Sequence, residues 1–345
     1  MKYSVVVPTC NRAGELRETL ASLCAVRSRE PWEVVVVDNN CTDGTPGVVR
    51  GAAVAFPVPL KYVFEVVPGR SAALNAGIAH ATGDILVTID DDVRVEPDYL
   101  DHVGRSFGTL QCDYIGGRVL PLWRGRRPSW LPERRTRHWA VIALVDEGQE
   151  PFEWTTMLPI GANFAMTRRA FEIVGPWNTG VGRKAGTLLG QEVREWCLRA
   201  RERGLRGYYA PASVVRHVIH ADRLKKSYFR RWFYWRGISR ALMYQQHGLD
   251  MESPQRAAFD FARMPHVAGV PRYLYRTAAS TMARVIATRV RGDETRAFEQ
   301  ELLLWMYAGI LRQRWRDRGR PLAWASREAR GTAAPGGRAH VGDAA

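Results

Sequence analysis

The chain has 345 residues, 46% of them hydrophobic, and a formal net charge of +15. That length buries a sizeable core and accommodates one large domain with an appendage, or two domains. Five cysteines, Cys10, Cys24, Cys41, Cys112 and Cys197, are odd in number and far apart, which argues against a disulfide framework or a zinc site and for a reducing compartment. The amino terminus enters a strand at once, leaving no room for a signal-peptide core, and no apolar run is long enough to span a bilayer. The expected location is cytoplasmic. Residues 221–345 hold 23 Lys plus Arg against 11 Asp plus Glu, so +12 of the +15 belongs to the carboxyl third.

Tyr3 to Val7 is an apolar run closed by Pro8, the pattern of a buried strand, followed by Thr-Cys-Asn-Arg and a helical pattern through Leu16, Leu20 and Leu23. A dinucleotide-binding Gly-x-Gly-x-x-Gly is missing from this turn, which counts against a dehydrogenase. Glu33 to Val37 is a second buried strand ending on Asp38, a group suited to accept hydrogen bonds from a base or ribose, or to cap a helix. A third strand, Leu60 to Val67, leads into Pro-Gly-Arg-Ser and a helix for which Ser71 is the expected N-cap. Arg70 stands at that helix's positive end, a suitable place for a phosphate, and Asn75 falls one turn in.

Ile85 to Ile89 predicts a fourth buried strand, and it delivers Asp90, Asp91 and Asp92 at its carboxyl end. Three adjacent carboxylates are costly unless a cation sits among them, and hard divalent ions such as Mg²⁺ or Mn²⁺ take oxygen ligands. In open α/β sheets ligands bind beyond the carboxyl ends of strands, where this cluster falls. Asp113 to Leu120 reads as a further strand. The β-α alternation predicts a mostly parallel sheet flanked by helices.

Residues 121–155, with Trp123, Trp130, Trp139, Trp154 and many arginines, read as an insertion near a binding face rather than core. Ile160 to Met166 resumes a strand, and a Gly-rich loop from Asn178 to Gly190 is a candidate mobile cover. The loop feeds Gln191-Glu192 and a helix. Glu192 lies in its first turn, where the dipole favours a charged carboxylate suited to be a general base, though Glu195 has an equal claim. Arg206 to Arg216, interrupted by Pro211, reads as a short strand pair ending at His217 and His220, and His217 could complete a cation site begun by Asp90 and Asp92.

These stretches carry a resemblance. Ser-Val-Val-Val-Pro-Thr-Cys-Asn-Arg, Val-Val-Val-Val-Asp-Asn-Asn-Cys-Thr-Asp-Gly-Thr, Gly-Arg-Ser-Ala-Ala-Leu-Asn-Ala-Gly-Ile and Asp-Ile-Leu-Val-Thr-Ile-Asp-Asp-Asp resemble glycosyltransferase family 2, as do Gly-Ala-Asn-Phe-Ala-Met, Gly-Gln-Glu and Pro-Ala-Ser-Val-Val-Arg-His. The resemblance implies a GT-A fold (Rossmann-like, α/β), a nucleotide-diphosphate sugar donor, Mg²⁺ or Mn²⁺, and inversion at the anomeric carbon. It makes Thr9, Asn11 and Asp38 nucleotide contacts and sets Arg70 and Asn75 near the ribose or diphosphate, with Asp90 and Asp91 beside the donor. Asp90 and Asp92 match the Asp-x-Asp element and become metal ligands with His217, while Glu192 matches the general base. Gln191 departs from the pattern, replacing an acid.

The expected organisation is a catalytic domain at 1–220, comprising a nucleotide-binding half (1–110), the insertion (121–155) and an acceptor and base half (156–220). A basic, aromatic helical region (221–330) and a disordered tail (331–345) follow. Helices near Leu224 to Leu249, Tyr273 to Val290 and Ala297 to Trp315 either pack on the catalytic domain with basic outer faces or suit an anionic membrane surface, which would place the protein peripherally on the inner face of the cell membrane and present a lipid-linked acceptor. Another glycan or a small molecule is equally compatible as acceptor. The competing classes are a basic nucleic-acid- or membrane-binding protein with a silent GT-A domain, and a sugar-nucleotide pyrophosphorylase. The first leaves the acidic cluster unexplained, so nucleic acid is disfavoured as a partner; the second needs a Gly-rich phosphate loop that Pro8-Thr-Cys-Asn-Arg is not.

Overall fold

The computed structural model describes residues 1–132, 138–155, 157–184, 186–247, 265–268, 270–318 and 320; the tail expected at 331–345 lies outside them. The amino half alternates β1 (Tyr3–Thr9), α1 (Ala13–Cys24), β2 (Trp32–Asp38), α2 (Thr45–Ala53), β3 (Leu60–Phe64), α3 (Arg70–His80) and β4 (Ile85–Ile89). β5 (Val93–Val95), α4 (Tyr99–Leu110), β6 (Tyr114–Trp123), β7 (Phe152–Glu153), β8 (Asn163–Thr167), α5 (Arg168–Val174), α6 (Glu192–Glu202) and β9 (Gly207–Ile219) complete the sheet and its covering helices.

The strands lie in the order β3-β2-β1-β4-β8-β6-β9-β5, with β7 also on β9. β3, β2, β1 and β4 are parallel, β8 runs against both β4 and β6, β6 and β9 are parallel, and β5 and β7 run against β9. Successive valines of β1 explain the two-sided cover: Val5 and Val7 join the core beneath α1 and α4, and Val6 joins the core beneath α3 and α6. A strand buried on both faces favours an apolar run, which Val5 to Val7 supply, and the buried hydroxyls of Ser4 and Thr9 are satisfied by Glu33 and Asp91.

Several sequence expectations change. Arg206 to Arg216 is not a strand pair: from Gly207 onward it belongs to one 13-residue strand, in which Pro211, Ala212 and Ser213 form a bulge between the partners of Gly117 and Arg118. A bulge accommodates a proline that a regular central strand would reject. The side-chain amide of Asn163 donates to the Ser213 and Arg118 carbonyls there, at 2.8 and 2.9 Å. Within residues 121–155, read from the sequence as lying near a binding face rather than in the core, Leu131, Ile142, Leu144 and Trp154 are buried. In the loop at 178–190, Val181 and Leu188 are buried. Ser71 is not an N-cap: α3 begins at Arg70, with Gly69 before it at φ +134°.

The carboxyl third forms α7 (Lys226–His247), a two-stranded ribbon of β10 (His266–Val267) and β11 (Val270–Pro271), α8 (Arg272–Val290) and α9 (Glu294–Arg316). Phe229 and Phe298 both pack edge-on against Trp130, at 4.9 and 5.2 Å between ring centres, which seats α7 and α9 on the catalytic core. Among the described residues no helix is long and apolar enough to cross a membrane.

Candidate active site

The sheet brings the acidic residues together through register. β5 lies antiparallel to β9 with Val93 opposite His217, and the Asp92 carbonyl accepts a hydrogen bond from Val218 N–H at 2.8 Å. Asp92, one residue before β5, therefore sits beside His217, whose Nε2 is 3.2 Å from Asp92 Oδ1. A one-residue slip of β9 would turn His217 to the other face, so the bulge upstream also fixes this contact. His220 is separated from the cluster, its Nε2 3.1 Å from Glu15.

Asp90, Asp92 and His217 each present one ligand atom, and the three atoms lie within 4.8 Å of one another. Nδ1 of His217 lies 3.0 Å from the Ile142 carbonyl, a contact that requires a proton on that nitrogen and turns Nε2 toward Asp92. The Arg223 guanidinium, 3.2 Å from that Nε2 and 3.0 Å from Asp92 Oδ2, supplies positive charge beside the pair. Two carboxylates and one imidazole are a donor set suited to Mg²⁺ or Mn²⁺, so the residues fit a divalent cation.

Three arginines compensate the aspartates. Arg12 donates to Asp91 Oδ1 at 2.9 Å and to Asp92 Oδ2 at 2.7 Å. Arg223 donates to Asp92 Oδ2 at 3.0 Å and lies 3.2 Å from His217 Nε2. Arg70 donates to Asp90 Oδ1 from both Nε and Nη2, and to Glu192 Oε1 from Nη1 at 3.0 Å. The two buried acids at the turn are held differently. Burial pushes Asp91 up, only partly opposed by Arg12, whereas Asp92 is drawn well below the usual carboxylate range because His217, Arg223 and Arg12 outweigh its burial. Asp92 is thus the firmly ionised member of the pair. Asp91 is braced by Thr9, whose hydroxyl donates to Oδ2 at 2.7 Å, and its carbonyl accepts from the Thr19 hydroxyl at 2.6 Å.

At the neighbouring strand end Asp38 is 1% exposed and accepts from Cys41 N–H and the Tyr62 hydroxyl, both at 2.8 Å. Asn11, at φ +54°, accepts from Thr42 N–H at 2.6 Å through its side-chain oxygen and so ties the turn after β1 to the turn after β2. Asn75 stands apart: both ends of its amide are used on the Trp177 backbone, at 2.8 and 3.0 Å, anchoring the segment after α5.

Glu192 opens α6 and is 8% exposed. Glu195, the competing acid, is gripped by two nitrogens of Arg199, whose guanidinium also donates to the Val174 and Pro176 carbonyls. Gln191 precedes α6 at φ +106°, a conformation rare for a residue with a Cβ, and its side chain does not cap the helix. Arg12 and Arg223 were missed by the sequence reading. Arg12 stood within the quoted Thr-Cys-Asn-Arg stretch, but nothing in its spacing points to Asp91 and Asp92, about eighty positions away.

Residues 4–175 match the family model described as Glycosyl transferase family 2. Among curated proteins, the glucosyl-dolichyl phosphate glucuronosyltransferase of Haloferax volcanii is 28% identical over 247 residues, covering 70% of this chain and 77% of that one. The undecaprenyl-phosphate 4-deoxy-4-formamido-L-arabinose transferase of Sodalis glossinidius is 29% identical over 143 residues, 39% of this chain and 41% of its own length. Among solved structures, the mannosyltransferase PcManGT from Pyrobaculum calidifontis, in complex with GDP-Man and Mn²⁺, superposes with a TM-score of 0.61 at 21% identity, over 92% of this chain and 88% of the other. At that identity the likeness establishes the shared fold.

Proposed function

Residues 4–175 are a glycosyltransferase family 2 domain on a GT-A fold, and from that premise we propose that the chain transfers a sugar, with inversion, from a nucleotide-diphosphate donor to an acceptor hydroxyl, with Glu192 as the base. The observation that carries the reading is the convergence of Asp90 and Glu192 on one half-buried arginine, Arg70, next to Asp92 and His217, at the carboxyl end of β4.

Asp90, Asp92 and His217 would hold Mg²⁺ or Mn²⁺, which when bound supplies charge neutralisation for the departing diphosphate. Arg70 and Arg12, cations beside the same carboxylates, would stabilise the negative charge that develops on the leaving group. Asp38, Thr9 and Asn11, at and just beyond the ends of β1 and β2, would contact the nucleoside, while Asp91 keeps Thr9 and Arg12 in place. Glu192 accepts the proton of the acceptor hydroxyl as that oxygen bonds to the anomeric carbon from the face opposite the diphosphate. The bond from the anomeric carbon to the phosphate oxygen breaks, and the nucleoside diphosphate leaves with the electron pair. Glu192→Gln keeps the side-chain shape and removes the base, so we expect transfer to fall by at least about 10³-fold while donor binding survives. Near wild-type turnover in that variant would assign the base elsewhere.

We also infer a lipid-linked acceptor and peripheral attachment to an anionic membrane. The two relatives described above are named for dolichyl phosphate and undecaprenyl phosphate substrates, which supports a lipid-linked acceptor. α8 supports the attachment, since Met282, Ile286 and Val290, spaced four apart, are exposed along one stripe of the helix. Co-sedimentation with anionic vesicles measures it.

A further inference from the structure

We propose that Arg70 is a latch: in the resting protein it clamps the proposed base Glu192 to Asp90, and the diphosphate of the donor releases the base by drawing the guanidinium away. The proposal deepens the transferase reading and rests on it.

A guanidinium has five N–H donors in a fixed fork. Here Nε and Nη2 donate to Asp90 Oδ1 at 3.1 and 2.9 Å, Nη2 also to the Gly161 carbonyl at 2.9 Å, and Nη1 to Glu192 Oε1 at 3.0 Å. Each carboxylate uses one oxygen, leaving Asp90 Oδ2 and Glu192 Oε2 without another hydrogen bond among the described residues. The seat is shaped for this arrangement: a Cβ at Gly161 would come within 2.7 to 2.9 Å of three guanidinium atoms. The backbone N–H of Arg70 is fixed as well, donating to the Arg183 carbonyl at 2.9 Å.

One cation between two anions leaves a net negative charge where a diphosphate must approach. A metal-bound diphosphate competes for both partners, since its cation is attracted to Asp90 and its oxygens to Arg70. Once the pairs exchange, Glu192 is free to take a proton, so the donor must bind before the acceptor can react. It follows that Glu192 opposes donor binding in the resting state, although it belongs to the acceptor side.

The test is calorimetric titration of the full chain with UDP and with GDP, each with Mn²⁺, for the wild type, Glu192→Gln, Arg70→Gln and the double variant. We expect Glu192→Gln to tighten binding about five-fold and Arg70→Gln to weaken it about ten-fold, with the gain from Glu192→Gln vanishing in the Arg70→Gln background. Should Arg70→Gln not fold, Arg70→Lys keeps the charge but cannot fork between two acids, and it should shrink the gain below about two-fold. Unchanged or weaker binding in Glu192→Gln, or a gain that persists without Arg70, overturns the latch. Failure of the wild type to bind either nucleotide would instead refute the transferase reading on which it stands.

Discussion

Glu33 shows how a single buried charge ties the amino half together. Its Oε1 accepts from the Ser4 hydroxyl, the Thr82 N–H and the Thr82 hydroxyl at 2.6 to 2.8 Å, and Lys61 lies 2.8 Å from Oε2, so β1, β2, β3 and the approach to β4 meet at one carboxylate. Burial alone would raise its pKa, but Lys61, Ser4 and Thr82 hold it down at about 2, against an ordinary value of 4.5. Because the folded value is the lower one, the stabilisation is fully present above about pH 4.5 and is lost as pH falls toward 2. With a discount for the part-exposed Lys61, it amounts to roughly 2 kcal/mol. Urea unfolding of Glu33→Gln should show that deficit at pH 7, shrinking steadily below about pH 4.5; a deficit independent of pH would contradict the assignment. At this scale the acidic cluster, His217 and Glu192 were legible because their chemistry is unusual for a strand end or a first helical turn. Arg12 and Arg223 were not, since an arginine in a turn looks like any surface arginine until the fold sets it against a carboxylate.

The helices of the carboxyl third answer a question that composition leaves open. Aromatic and basic residues interleave in α7, α8 and α9 alike, yet packing separates them. Gly237 of α7 and Gly309 of α9 meet so closely that a Cβ on either would lie 2.0 Å from a backbone oxygen of the other helix. That crossing, with Phe229 and Phe233 buried, uses α7 in the core and leaves α8 with an outward apolar stripe. The inferred membrane contact is therefore assigned to the α8 stripe among the described residues. Vesicles rich in anionic lipid should sediment the wild type at low salt, and the combined Met282→Asp and Ile286→Asp substitutions should reduce bound protein at least about five-fold with the fold intact. Equal sedimentation of both proteins would remove α8 from the interface. The helical pattern was readable from spacing, whereas the partner of each face was not, because a glycine pair seventy-two positions apart carries no local signal. The bulge in β9 escaped for a related reason: Pro211 looks like a strand break until Asn163 is seen holding the carbonyls around it.

Across the whole molecule, the alternating amino half was legible because parallel strands buried on both faces need uninterrupted apolar runs. The antiparallel insertion of β8 between β4 and β6 was not, since it joins segments far apart in sequence. That long-range order is what sets β9 against β5 and assembles Asp90, Asp92 and His217 beside Glu192. The central claim is that these side chains hold a cation and, with it, the diphosphate of a sugar donor. It is tested most directly by calorimetric titration of UDP and GDP into the protein with Mn²⁺, repeated with excess chelator and with Asp90→Asn. We expect one nucleotide to bind with Mn²⁺, and its affinity to fall at least about ten-fold on chelation and in the variant. Binding that is indifferent to both metal and Asp90, or no binding of either nucleotide under any metal condition, would contradict it.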